Sequence, residues 1–240
     1  METFVFPDKN ALAEGAGLRS GAILHPCRRK RLRSPSLALS GGSTPWGCSA
    51  PWSQARPSIL GRRPGVLGGR TMRARRGDER SNYGTARRRF LEPLGCRPND
   101  FSGDGREGTR GRSPRRYETL LGTTLPLEEG VPVFDWIWLG LGEDGHTVSV
   151  FPHQIGLWDD PGCCAVARHP VLPEMRITLT GRVINAARRV TFLVTGAAKA
   201  ERVRDIIRGN GDGPRVPAAL VNPRWGKLEF YMDREAASKL

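Results

Sequence analysis

The sequence predicts an α/β fold, a mostly parallel sheet covered by helices, and three stretches carry that prediction. "VFDWIWLGLG" (133–142) is a compact apolar run ended by glycines, the pattern of a buried strand. "RRVTFLVTGAAKAERVRDIIRG" (188–209) reads as a strand that turns through Gly196 into an amphipathic helix. In that helix Ala200, Val203, Ile206 and Ile207 share one face, Glu201, Arg202, Arg204 and Asp205 cover the other, and Gly209 is a natural terminator. "RITLTGRVINAAR" (176–188) supplies a further alternating strand, Ile177 and Leu179 against Thr178 and Thr180, and "KLEFYMD" (227–233) a last one. Strand followed by helix is most economically satisfied by a parallel sheet with helical cover. In the first half one island shares this character: "SLALSGGSTP" (36–45) is a short apolar run that ends in a Ser-Gly-Gly-Ser-Thr turn.

The chain has 240 residues and is 38% hydrophobic, enough for one sizeable core. Its longest nearly apolar run, 131–141, is interrupted by Asp135 and is too short to cross a bilayer. "METFVFPDKN" has no basic segment leading into an apolar one, so no secretory signal is expected and the cytoplasm is the expected location. The five cysteines, Cys27, Cys48, Cys96, Cys163 and Cys164, are odd in number and lack C-x-x-C spacing, which argues against a disulfide framework and a zinc site.

Charge is distributed unevenly. Of 38 basic and 24 acidic residues, 24 and 10 lie in 1–120, so the whole net charge of +14 belongs to the first half. A basic half ordinarily suggests a nucleic-acid partner. Here the basic stretches, 55–76 and 101–116, are rich in Arg, Gly and Pro, have little periodicity and contain few aromatics for stacking. Specific nucleic-acid binding is therefore not expected, and these stretches read as disordered or poorly packed.

Two short motifs carry chemistry. Backbone amides of the turn at Gly41, Gly42, Ser43 and Thr44, with the Ser43 and Thr44 hydroxyls, are suited to cradle a phosphate if a helix follows. "LGLGEDGHTVSVFP" (139–152) sets His146 among three glycines and two adjacent acids. Taken alone, a histidine in such a loop is more often structural than catalytic.

The segments "LALSGGSTP", "GDER", "SNYGTARRRFLEPLG", "FDWIWLGLGEDGHTVSVFP", "RITLTGRVINAARRVTFLVTGAAKAE" and "PAALVNP" resemble the 6-phosphogluconolactonases and occur in the order seen in that family. The resemblance is nearly continuous from residue 117 onward and patchy before it. It implies one domain over 1–240, a Rossmann-like three-layer sandwich, and hydrolysis of 6-phosphogluconolactone in the oxidative pentose phosphate pathway. It also implies His146 as the general base, Asp144 as the residue that orients its imidazole, and Gly142 and Gly145 as turn residues that present amide donors. For the substrate phosphate it implies Gly41, Gly42, Ser43 and Thr44 together with Arg80, Arg176 and Lys199, the last three by charge-assisted contacts. His25, His153 and His169 carry no motif and receive no role. No metal cluster or dinucleotide fingerprint appears, and ester hydrolysis requires no cofactor, so none is expected.

Glucosamine-6-phosphate deaminases and related sugar-phosphate isomerases share the SGGST turn and the DGH core. They typically continue toward an Asn-Glu-Pro element that this sequence lacks.

Departures from the family fall in 19–35, 46–76 and 101–116, where Arg/Gly/Pro/Ser-rich sequence replaces expected helix and strand patterns. These stretches are expected to be disordered or to be translated from a shifted reading frame, with loss of part of the sheet. Three readings from different classes follow: an active lactonase, an inactive or damaged relative, and a basic nucleic-acid-binding protein on an α/β scaffold.

Overall fold

The computed structural model describes residues 1–30, 35–40, 65–68, 70–71, 88, 114–172, 175–209 and 215–240. Its centre is a six-stranded sheet built from β1 (Glu2–Phe6), β2 (Ser36–Leu39), β3 (Gly65–Gly68), β7 (Trp136–Leu139), β10 (Arg189–Val194) and β11 (Lys227–Asp233). The strand order is β1-β11-β10-β7-β2-β3, and every neighbouring pair is parallel. Two shorter strands, β5 (Leu127–Glu128) and β6 (Val131–Pro132), form a hairpin.

The period of two in the strands sorts their side chains onto two covered faces. On one face Ile137, Leu139, Phe192 and Phe230 join a cluster with Leu121 of α2 (Pro114–Thr124), Val183 and Ile184 of α3 (Gly181–Ala186) and Val203 of α4 (Ala200–Arg208). On the other, Trp136, Trp138, Leu193 and Tyr231 are also buried. There α1 (Lys9–Lys30) packs against β1 and β11, and Arg19 Nε donates to the Tyr231 hydroxyl at 2.7 Å. Helices on both faces explain why β7 is apolar at every position instead of alternating. The expected strands at 133–142, 188–194 and 227–233 are all present, and so is the helix after Gly196, ended by Gly209 in the left-handed conformation (φ 64°).

One expected strand has a different place. Residues 175–179 form β9 (Met175–Leu179), but it pairs antiparallel with β8 (Cys164–Arg168) and β4 (Arg70–Thr71) in a separate small sheet. The chain then turns at once into α3 because Gly181 lies against Trp158; a Cβ there would stand 2.3 Å from the indole nitrogen. β1 was not expected from the sequence at all. It is an edge strand whose partner, β11, is more than 200 residues away, and local pattern carries no trace of that pairing.

The chain order β1, β2, β3, β7, β10, β11 reverses direction across the sheet between β2 and β7. In open α/β sheets the crevice beyond the carboxyl ends of the strands at such a reversal is where ligands bind.

Candidate active site

The carboxyl ends of β2, β7 and β10 lie side by side, because these three strands are neighbours in the sheet. The β2 end is tied to β7 by the Ser40 amide, which donates to the Trp138 carbonyl at 3.1 Å. The turn that follows, Gly41, Gly42, Ser43 and Thr44, lies outside the described residues, as does Arg80.

The loop after β7 carries His146. Its shape is set from within: the Gly142 amide donates to the His146 carbonyl at 2.9 Å and the Gly145 amide to the Gly142 carbonyl at 3.0 Å. Both amides are thereby used to close the turn, which corrects the expectation that they are presented as donors to a ligand. The glycines are required for space and conformation. A Cβ on Gly142 would stand 2.1 Å from His146 Nδ1 and 2.4 Å from Asp144 Oδ1, and Gly145 has φ +83° against the Val216 side chain. Further along, Thr147 Oγ1 donates to the Gly140 carbonyl, and β-branched Val148 is held at φ 50° between the bridged residues Thr147 and Val150. Left-handed backbone at such a residue costs about 1–3 kcal/mol and persists only where the surroundings over-determine it.

Within this loop Asp144 and His146 form a pair. Asp144 Oδ1 lies 2.6 Å from His146 Nδ1 and also accepts the His146 backbone amide at 3.0 Å. Partial burial pushes the Asp144 carboxyl up, but the His146 amide, the imidazole charge and the ring hydrogen bond together outweigh it and hold it below its ordinary value. An ionised carboxylate only accepts, so the proton of the shared bond belongs to Nδ1, and in the neutral form of the ring the lone pair is on Nε2. The imidazole also has an aromatic neighbour: its centroid is 4.7 Å from that of Phe151, tilted by 44°, a fully buried ring just before the 3-10 turn Pro152–Asp159. His153 and His169 touch the same phenyl ring, at 5.8 and 5.3 Å. The His25 side chain is outside the described residues.

Lys199 reaches this loop from β10. The strand ends in a turn at Gly196 (φ 94°), whose amide donates to both carboxylate oxygens of buried Asp233 at 3.1 Å. A short 3-10 turn, Ala197–Lys199, then places Lys199 Nζ 3.3 Å from Glu143 Oε1, one residue before Asp144. Arg176 belongs to the small sheet. It lies on β9 two residues before Thr178, on the same face, and Thr178 Oγ1 accepts the Ser149 amide of the loop at 3.1 Å. The structure thus brings Asp144 and His146 together, sets Lys199 against the adjacent Glu143, and places Arg176 on the strand whose Thr178 holds Ser149 of the same loop.

Glu143, Phe151 and Asp233 were not picked out from the sequence. Phe151 and Glu143 sit inside the motif, but only the three-dimensional contacts show what they touch; Asp233, at the end of a strand, carries no local signal. Among the described residues no group of three or more His, Cys, Asp or Glu is placed to hold a metal, and no helix is long and apolar enough to cross a membrane. Burial pushes the Cys163 and Cys164 thiols up, which makes them poor nucleophiles.

Comparison with known proteins agrees with this architecture. The family described as glucosamine-6-phosphate isomerases/6-phosphogluconolactonase matches residues 7–230. The 6-phosphogluconolactonase of Treponema pallidum is 34% identical over 210 residues, covering 86% of this chain and 84% of that protein. That of Aggregatibacter actinomycetemcomitans is 32% identical over 206 residues, covering 85% and 87%. The solved structure of the 6-phosphogluconolactonase from Trypanosoma brucei superposes with a TM-score of 0.83 at 27% identity, over 100% of this chain and 98% of that one. With the match extending through both the β2 end and the Asp144–His146 loop, the chain belongs to the 6-phosphogluconolactonase family.

Proposed function

We propose that this protein hydrolyses 6-phospho-D-glucono-1,5-lactone to 6-phosphogluconate, the lactone-opening step of the oxidative pentose phosphate pathway. The observation that carries the reading is the Asp144–His146 pair, 2.6 Å apart, at the carboxyl edge of the sheet where it reverses direction. The names and extents of the similar proteins support the substrate class.

The chemistry follows from the tautomer. Water beside His146 gives a proton to Nε2 as its oxygen bonds to the lactone carbonyl carbon, and the carbonyl electrons move to oxygen as an oxyanion. Collapse of that intermediate restores the carbonyl and breaks the bond to the ring oxygen. The proton held on Nε2 passes to that departing oxygen, leaving the open-chain hydroxy acid. Asp144 stabilises the transient imidazolium through Nδ1 and keeps the ring from turning over. Lys199 and Arg176, with the Gly41, Gly42, Ser43 and Thr44 turn and Arg80, supply the charge and amides for the 6-phosphate. The phosphate anchors the far end of the sugar, so that the carbonyl is presented to a base that does not move.

The experiment is to follow the decay of freshly generated lactone with and without the purified chain. An acceleration over spontaneous hydrolysis that saturates with substrate is expected. Decay at the spontaneous rate in the presence of folded protein would contradict the proposal.

A further inference from the structure

Lys199 and Glu143 are covered unequally. The lysine side chain is 21% exposed and the glutamate 69%, although their charged ends lie 3.3 Å apart. The lysine stands on a fixed base, the turn at Gly196 that Asp233 holds by two hydrogen bonds. The glutamate projects from the rim of the loop, whose backbone is closed by the Gly142 and Gly145 amides and does not depend on the Glu143 side chain.

From this asymmetry we propose that Glu143 is a competing carboxylate. It occupies the Lys199 ammonium while the site is empty and swings into water when a phosphorylated ligand arrives. The inference rests on the reading of Lys199 as a phosphate-binding residue. An exposed Lys–Glu pair is held only weakly, and the freed carboxylate regains its hydration at little cost. A phosphate brings close to two negative charges and three acceptor oxygens to the same ammonium, so it wins the exchange. A ligand whose far end lacks the phosphate brings no anion to Lys199 and leaves the carboxylate in place. Glu143 thus lowers the affinity of phosphorylated ligands by a fixed factor.

The test is a double-mutant cycle read by calorimetric titration with 6-phosphogluconate, with gluconate as the phosphate-free control. Glu143→Gln is expected to tighten 6-phosphogluconate by about twofold to fivefold, the range set by release of an exposed ion pair. Gluconate binding is expected to be unchanged, and the gain is expected to vanish when Lys199→Met is also present. Weaker binding by Glu143→Gln would overturn the proposal by making Glu143 a support for the lysine. An equal gain in the Lys199→Met background would overturn it too, as a field effect that bypasses the lysine. Absence of saturable 6-phosphogluconate binding to the wild type would instead remove the phosphate-site reading beneath it. An unchanged affinity in Lys199→Met alone would retire Lys199 from that site. Lys199→Gln replaces Lys199→Met in the cycle if the latter lowers the melting temperature.

Discussion

A single hydrogen bond decides what His146 can do. With Asp144 ionised and bonded to Nδ1, the neutral ring has Nε2 as its proton acceptor, and the bond restrains the flip that would exchange the two nitrogens. Asp144→Asn keeps the shape and loses that assignment, since the amide can present an N–H to Nδ1 and so favour the wrong tautomer. We expect kcat to fall by about 10²–10⁴-fold with KM little changed, measured on freshly generated lactone. The same pair has a signature in stability. A carboxyl whose folded pKa lies below its unfolded value stabilises the fold above the unfolded pKa, near 4, and the contribution is lost as pH falls through the lowered value. The melting temperature of the wild type should therefore exceed that of Asp144→Asn above about pH 4, by a small amount because the loop is partly exposed, and the two should converge in stronger acid. A difference that grows toward low pH would contradict this sign.

At the scale of elements, the site is a meeting of three strand ends with a turn of 3-10 helix beneath them. Phe151, first in line before that turn, is fully buried and lies against the imidazole. Phe151→Leu removes the aromatic contact to the imidazole while keeping most of the apolar volume, so kcat should fall and KM should hold; a rise in KM with unchanged kcat would assign Phe151 to substrate binding instead. These contacts also show what the sequence can and cannot tell. β7, β10, β11 and α4 are legible because burial on both faces or on one helical face leaves an apolar pattern within a dozen residues. His146 and Asp144 are picked out by the resemblance to the family, and because their partnership is two residues long the resembling motif contains both. Asp233 is not, because its work is done on Gly196, 37 residues away in the chain. β9 reads correctly as a strand, but alternation does not encode that it joins the small sheet, antiparallel to β8 and β4. Val148 likewise gives no hint of its left-handed backbone, since a valine in a loop is unremarkable until its conformation is known.

Across the whole molecule, the described core is continuous from β2 to β11, and one buried network spans its middle. Trp136 Nε1 donates to Thr191 Oγ1, which donates to Glu229, and Glu229 pairs with Arg189. The Glu229 carboxylate is only 1% exposed. Glu229→Ala leaves Arg189 and Thr191 without their acceptor in the interior and should cost about 3–5 kcal/mol. Natural domains hold only about 5–15 kcal/mol in reserve, so that change should bring the chemical denaturation midpoint down sharply. A shift of less than 1 kcal/mol, on the order of a surface pair, would mean that water reaches the network.

The first half poses a different question at this scale. Residues 19–30 continue α1, and 65–68 and 70–71 form β3 and β4, which corrects the expectation that 19–35 and 46–76 lack regular structure throughout. We propose that 19–35, 46–76 and 101–116 are nevertheless translated from a shifted reading frame, because Arg/Gly/Pro/Ser-rich sequence there alternates abruptly with intact motifs and carries the basic excess. Reading the coding DNA across 46–76 in its other two frames should recover apolar, helix-compatible sequence, and finding none would contradict the idea.

The central claim is that this chain opens a sugar-phosphate lactone with His146 as its base. It is tested most directly by comparing lactone decay for the wild type and for His146→Ala at equal concentration, with circular dichroism and a melt to show that both are folded. The account predicts clear acceleration by the wild type, reduced by about 10²–10⁴-fold in the variant. A variant as fast as the wild type would remove His146 from the mechanism, and a folded wild type no faster than water would remove the mechanism from the chain.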